Sequence, residues 1–292
     1  MIVEKENIRI DIYLAEKLNI SRSKVQKLIK DRKVLVNGKE TSSNYKTKLN
    51  DEIVVDDELN YEINIEPENI PLDIVYEDDY LLVINKKSGM VVHPAPGNYR
   101  GTLVGALLYK LKIKSTDSIR PGIVHRLDKD TSGLMVVAKD EKTHELLSEM
   151  IKNKKVERKY VALVQNVIRH DRGTIDAPIG RDLVNRQKMA VTDINSKDAI
   201  THFKVLKRFS KNTLVECKLE TGRTHQIRVH LAYIGHPVVN DPVYGNSKKC
   251  TEFGQLLHSK SIKFIHPITK KEIYFECQPP KEFQDFIEKL ED

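Results

Sequence analysis

The apolar positions follow two different rhythms along the chain. Near the start they are sparse and helically spaced: Ile10, Leu14 and Leu18 recur every four residues, and Val25, Leu28 and Ile29 make an i, i+3, i+4 stripe in SRSKVQKLIKD. Two short helices are predicted there, the second capped by Ser21. VLVNGKE reads as a strand entering an Asn37-Gly38 turn, and NDEIVVDD as a second short strand. Further on, the apolar residues gather into dense runs of strand length: DYLLVINK, GLMVVAKD, RKYVALVQ, NTLVECKLE and KEIYFECQ. Helical patterns at TLVGALLYKL, EKTHELLSEMIK and HQIRVHLAYIG are mixed among them. The strands do not alternate regularly with long helices, as a doubly wound parallel sheet requires. The pattern predicts an α+β fold with a mixed, largely antiparallel sheet and flanking helices, preceded by a small α/β unit.

Charge sharpens this division. Residues 51–68 contain Asp51, Glu52, Asp56, Asp57, Glu58, Glu62, Glu66 and Glu68 without one Lys or Arg, and Pro67 and Pro71 interrupt the backbone. We therefore expect a first domain over residues 1–58, an acidic linker over 59–70 and a larger domain over 71–292. The net charge of +7 is concentrated: residues 21–48 carry Arg22, Lys24, Lys27, Lys30, Arg32, Lys33, Lys39, Lys46 and Lys48 against Asp31 and Glu40. A basic segment this short favours a polyanionic partner. No apolar stretch approaches the length of about 18 residues that a membrane span needs. The three cysteines, Cys217, Cys250 and Cys277, are far apart with no CxxC pair, so neither a disulfide framework nor a zinc site is expected. A cytoplasmic setting fits.

Two polar clusters could carry chemistry. In the first, PGIVHRLDKDTSGL, the polar residues His125, Arg126, Asp128, Asp130, Thr131 and Ser132 are packed between apolar runs, although a plain hairpin turn also uses Asp, Thr, Ser and Gly. The second is LETGRTHQIRVHLAYIGHPVVNDPVYG, residues 219–245. There Thr224 is placed to cap a helix whose buried face is Ile227, Leu231 and Ile234, with Gly235 as its stop. Arg223 lies just before that helix, uncommitted to the core, while His225 and Arg228 share a different face from Ile227 and Leu231. His225 and His230 are five apart, not the four that would put two imidazoles on one helical face, and no HExxH motif is present, so no metal site is expected. The GxSxG elbow that a Ser-His-Asp hydrolase reading of His125, Asp128 and Ser132 would need and the glycine loops that cradle nucleotide phosphates are missing too.

Taken together, HRLDKDTSG (residues 125–133), KKSGMVVHPAPGN (86–98), RKYVAL (158–163), PIGRDLVNRQKMAV (178–191), DAITHF (198–203), GRTHQIRVHL and LLHSKSIKFIHPITKKE (256–272) resemble the RluA-type pseudouridine synthases. The wording of the first loop with GLMVVAKD is most similar to the RluD-like branch, whose substrate is large-subunit ribosomal RNA. The N-terminal basic unit resembles an S4 RNA-binding domain. Two departures stand out. S4 domains usually have Gly before the Val of the VNG strand, where this chain has DRKVLVNG, and the family's LHA is LHS here.

The resemblance implies an isomerase that needs no cofactor, working as a monomer on RNA. It implies Asp128 as the catalytic carboxylate, attacking C1′ of the target nucleotide or helping to remove a ribose proton, with Arg223 as the cation that keeps an enclosed carboxylate charged. Tyr160 is expected to stack on the uracil, and Arg126 to fill the space the flipped base leaves. Lys24, Lys27, Lys30, Arg32 and Lys33 would hold RNA phosphates, which position rather than specify. The competing expectations are a transfer-RNA pseudouridine synthase and a non-catalytic RNA-binding protein of ribosome assembly. A pure binder has no need of Asp128, Arg223 and Tyr160.

Overall fold

Two helices and three short strands build the first of two units, Met1–Ile63. The computed structural model describes residues 1–18, 20, 22–55, 65–94, 98–112, 122–185, 188–245 and 253–290; the expected cap Ser21 and the side chain of Lys24 lie outside the described residues. Helices α1 (Ile10–Lys17) and α2 (Arg22–Lys30) lie beside a sheet of β1 (Val34–Val36), β2 (Lys39–Glu40) and β3 (Ile53–Val55), with β1 central and both pairings antiparallel. The stripe expected from spacing is the core: Ile10, Leu14, Val25, Leu28 and Ile29 are buried with Val34, Val36 and Ile53. Asn37 and Gly38 both take positive φ, as a two-residue hairpin turn requires.

The missing glycine of the S4 pattern has a visible cost. Arg32 takes φ 59, and the N–H groups of Arg32 and Lys33 donate to Ile29 O at 3.1 Å and Leu28 O at 2.9 Å. This is the helix stop that glycine normally makes, built here on a residue with a Cβ. The helices are tied by Asp11, fully buried, which accepts from Arg9, from Arg22 Nε at 2.9 Å and from Gln26 Nε2 at 2.6 Å. Burial alone would raise its pKa, but these hydrogen bonds hold it at about 2. Lys27, Lys30 and Arg32 are exposed and Lys33 is half-buried.

The second unit, Asn64–Asp292, is built on one large sheet. Its strands and helices run β4 (Ile74–Glu77), β5 (Leu81–Lys86), α3 (Leu103–Leu111), β6 (Ser132–Ala138), α4 (Glu141–Lys152), β7 (Glu157–Gln165), β8 (Arg172–Asp176), β9 (Ile179–Arg181), β10 (Met189–Val191), β11 (Ile200–Arg208), β12 (Asn212–Leu219), α5 (Gln226–Tyr233), β13 (Leu257–Ile265), β14 (Glu272–Glu276) and α6 (Lys281–Glu288). The sheet order is β4-β5-β6-β13-β7-β12-β11-β8, with β14 also on β13 and β9-β10 a separate hairpin. Among the described strands only β6 and β13 pair in parallel, so the α+β, largely antiparallel expectation holds. Residues 65–70, assigned from sequence to the linker, lie on this unit: Ile65 is buried, and Glu68 N–H donates to Gly105 O at 2.9 Å.

Every residue of β6 is buried because the strand is covered on both faces. Met135 and Val137 face a core shared with α3, α5, Tyr160 and Val215, while Leu134, Val136 and Ala138 face Leu147 of α4 and Ile262 and Phe264 of β13. A central strand of this kind is a rigid mount for the loop that precedes it. At the junction, Gly133 has φ 112, and a Cβ there would sit 2.3 Å from Ser259 O. Glycine is what lets β6 and β13 approach.

Candidate active site

The buried polar residues of the loop 125–132 are each pinned by a partner. His125 Nε2 accepts the Val136 N–H at 3.0 Å, Ser132 Oγ meets His258 Nδ1 at 2.9 Å, and Thr131 Oγ1 accepts from Gln255 Nε2 at 2.9 Å. From the other side, Ser88 Oγ donates to Asp130 O at 2.9 Å. Lys86, almost fully buried, donates to the carbonyls of Lys87, Met90 and Lys129, each at 2.9 Å. Burial pushes its pKa down to about 7 against the opposing pull of Asp128 and Asp130. Three carbonyl acceptors call for three N–H donors, which only the ammonium form supplies. The side chains of His125 and Leu127 point inward, and that of Arg126, between them, is exposed.

Asp128 is thereby held on the wall of a cavity of about 530 Å³, within the range of roughly 300–1,000 Å³ common for ligand sites. Arg126, His125, Tyr160, Arg223 and Arg228 line the same cavity. The partner of Asp128 is not the expected Arg223. Arg228 Nη1 donates to Asp128 Oδ2 at 2.8 Å, while its Nε and Nη2 grip the carboxylate of Asp241 at 2.6 and 2.9 Å. Arg223 Nε instead donates to the backbone carbonyl of Asp198 at 2.8 Å.

The start of α5 explains the correction. Thr224 does not cap the helix; His225 occupies that position in a left-handed conformation, φ 57, and makes no side-chain cap. Just before the helix, Gln226 Oε1 accepts the Arg223 N–H at 2.9 Å, and the Arg223 side chain reaches away to Asp198 O. Arg228, inside the first turn, is carried under Asp128. The expected stop at Gly235 is present, with φ 83.

The guanidinium of Arg228 is itself immobilised. Asp241 is fully buried at its side chain and also accepts the N–H groups of Val243 and Tyr244, at 2.8 and 3.0 Å. Burial alone would raise the Asp241 pKa; the hydrogen bonds and charge of Arg228, with those N–H groups, bring it below the usual range. The Tyr244 ring lies 5.1 Å from the Arg228 guanidinium, within cation–π reach, and its hydroxyl is 2.9 Å from His225 Nδ1. His225 Nε2 is 3.9 Å from Asp128 Oδ1, and burial lowers its pKa in spite of that carboxylate. Reasoning from sequence missed Arg228, Asp241 and Tyr244. The signal available was the placement of Arg228 with His225 off the apolar face of α5.

Tyr160, on β7 between Cys217 and Ser259, is buried beneath the cavity, and burial raises its phenol pKa, so the hydroxyl keeps its proton. Among the described residues, no three His, Cys, Asp or Glu side chains gather as a metal site. The arrangement offers an aspartate fixed in direction by a locked guanidinium, an aromatic floor and an exposed arginine at the rim.

The family described as RNA pseudouridylate synthase matches residues 80–233, and the S4 domain matches residues 8–53. An uncharacterised RNA pseudouridine synthase of Bacillus subtilis, YlyB, is 49% identical over 290 residues, 98% of this chain and 95% of the relative. Proteins named ribosomal large subunit pseudouridine synthase D from Zymomonas mobilis and Escherichia coli O6:H1 are 46% and 40% identical, covering 82% and 96% of this chain and 79% and 90% of theirs. The solved structure of human RNA pseudouridylate synthase domain containing 1 superposes with a TM-score of 0.61 at 28% identity, over 73% of this chain and 85% of that one.

Proposed function

This chain belongs to the RNA pseudouridylate synthase family and carries an S4 domain, and from that premise we propose that it converts uridine to pseudouridine in a stem-loop of large-subunit ribosomal RNA, with Asp128 as the reacting carboxylate. The observation that carries the assignment is the Asp128–Arg228–Asp241 chain, which fixes a carboxylate on the wall of a nucleotide-sized cavity. The substrate reading leans on the relatives named for the large ribosomal subunit.

The isomerisation breaks the bond from C1′ to N1, turns the uracil, and joins C1′ to C5. C5 gives up its hydrogen as a proton and N1 ends as N–H, so no electrons are gained or lost. Asp128 acts at the sugar, and Arg228 keeps it aimed and charged. The Tyr160 ring supports the base from below. Reaching Asp128 requires the nucleotide to leave its stack, at about a few kcal/mol, and Arg126 at the rim fills the gap it leaves. Lys24, Lys27, Lys30, Arg32 and Lys33 hold the RNA backbone, in keeping with the S4 match. The enzyme works in the cytoplasm as a monomer; among the described residues no helix is long and apolar enough to cross a membrane.

Pseudouridine mapping in cells lacking this chain tests the substrate. Loss of specific sites in large-subunit ribosomal RNA, restored by the wild-type chain and not by Asp128→Asn, is expected. Loss confined to transfer RNA would overturn the ribosomal assignment, and restoration by Asp128→Asn would overturn the role of Asp128.

A further inference from the structure

Besides Arg126, Arg223 and Arg228, the cavity is lined by a further arginine that the mechanism above leaves unused. Arg158 lies on β7 two residues before Tyr160, so the two side chains project from the same face of the sheet. It is 5% exposed, and among the described residues its guanidinium has no hydrogen-bond or ion-pair partner; Nε is completely enclosed. An arginine cannot shed its proton to escape burial, so a buried guanidinium without a partner carries a desolvation cost that nothing among the described residues offsets.

A second unsatisfied donor is its neighbour. The backbone N–H of Val136 can only donate, so His125 Nε2 is an acceptor and the proton of the neutral ring sits on Nδ1. That Nδ1 is buried and has no partner either. Burial, and then the nearby Arg158 charge, push His125 down to about 3, so the ring stays neutral. Both residues line the cavity that holds Asp128. Gly222 leaves room for the guanidinium, since a Cβ there would sit 3.3 Å from Arg158 Nη1. Native proteins rarely leave one such group unpaired. Both residues line one cavity, and the Nη groups of Arg158, which are not enclosed as its Nε is, can meet an acceptor that arrives from outside.

We propose that Arg158 and His125 form a prearranged seat for an anionic oxygen of the nucleotide that enters the cavity. The oxygen belongs either to the phosphate beside the flipped uridine or to a uracil carbonyl that gains charge as the C1′–N1 bond breaks. The identity of the ligand rests on the function proposed above; the need for an acceptor does not.

The test uses the full chain carrying Arg158→Met, which keeps the length of the side chain and removes its donors. Three quantities are measured beside wild type: the unfolding temperature without RNA, RNA affinity across a salt series, and single-turnover rate at saturating RNA. Because the guanidinium has nothing to hold in the free protein, the variant should unfold at the wild-type temperature or above it. Affinity or saturated rate should fall by about tenfold or more, the value of a hydrogen bond to a charged group. Weaker binding with a salt slope smaller by about 0.7 and an intact rate identifies the phosphate, and a lost rate with intact affinity identifies the uracil oxygen. A variant that melts well below wild type would show that Arg158 holds the fold, and one that binds and reacts like wild type would show the seat is empty; either overturns the proposal. If wild type itself forms no pseudouridine, the functional reading fails, while the unfolding and binding measurements still decide the role of Arg158.

Discussion

Replacing Arg228 by Met removes the hub of the site at nearly constant length. Asp241, whose side chain is 0% exposed, then loses both guanidinium contacts and keeps only the N–H groups of Val243 and Tyr244. Breaking a buried ion pair from one side costs about 3–5 kcal/mol, because the remaining charge stays desolvated. At about 2–4 °C per kcal/mol for a unit of this size, the melting temperature should fall by roughly 6–20 °C at neutral pH. The loss must also depend on pH. In wild type Asp241 is held below its ordinary value of 3.8, so its contribution is complete above that value and disappears as pH falls through the lower folded value. In the variant, burial without a cation raises the same pKa, and stability is lost as pH rises through it. The gap between the two proteins should be widest near neutrality and narrow in acid. Thermal unfolding from pH 3 to 8 reads it directly. Arg223→Met is the control: Arg223 is half-exposed and gives up one hydrogen bond to Asp198 O, so its effect should stay within about 0.5 kcal/mol. A gap independent of pH, or an Arg223 variant that loses as much, would refute the reasoning.

Lys86→Met strands three carbonyls that now receive the ammonium; at about 1–3 kcal/mol per buried unsatisfied group it should destabilise the second unit by about 3 kcal/mol or more, and a melting temperature within error of wild type would contradict this. Arg32→Gly removes a Cβ from a left-handed position and should stabilise the α2 stop by about 1 kcal/mol, seen as slower amide exchange through α2; faster exchange would show that the Arg32 side chain supports the turn. Replacing Lys24, Lys27 and Lys30 by Gln should flatten the salt dependence of RNA binding by about 0.7–0.9 per lost phosphate contact while leaving the saturated rate unchanged. An unchanged slope would mean that this face is merely solvated.

Periodicity revealed the elements whose burial is one-sided or complete. The α2 stripe, the Asn37-Gly38 turn and the apolar run LMVVA of β6 could each be read because one physical constraint set each pattern. β11 and β13 could not. ITHFKVLKR lies largely at the surface, and LHSKSIKFI buries His258 and Ser259 through specific partners, with Ser261 buried beside them, so polar letters hide a core strand. The site divides in the same way. Asp128, Tyr160 and Arg126 lie within contiguous motifs, and the structure brings all three to one cavity. The partner of Asp128 lies 100 residues away in sequence, and the choice between Arg223 and Arg228 turned on the conformation of His225. A left-handed non-glycine residue at a helix start leaves no periodic trace.

The central claim is that a carboxylate at position 128 performs the isomerisation. The direct measurement is single-turnover conversion of uridine in a large-subunit ribosomal RNA fragment, with binding to the same fragment followed in parallel, for wild type and Asp128→Asn. Wild type should form pseudouridine, and Asp128→Asn should bind equally well and form none. Pseudouridine formed by Asp128→Asn at a rate near that of wild type would contradict the account.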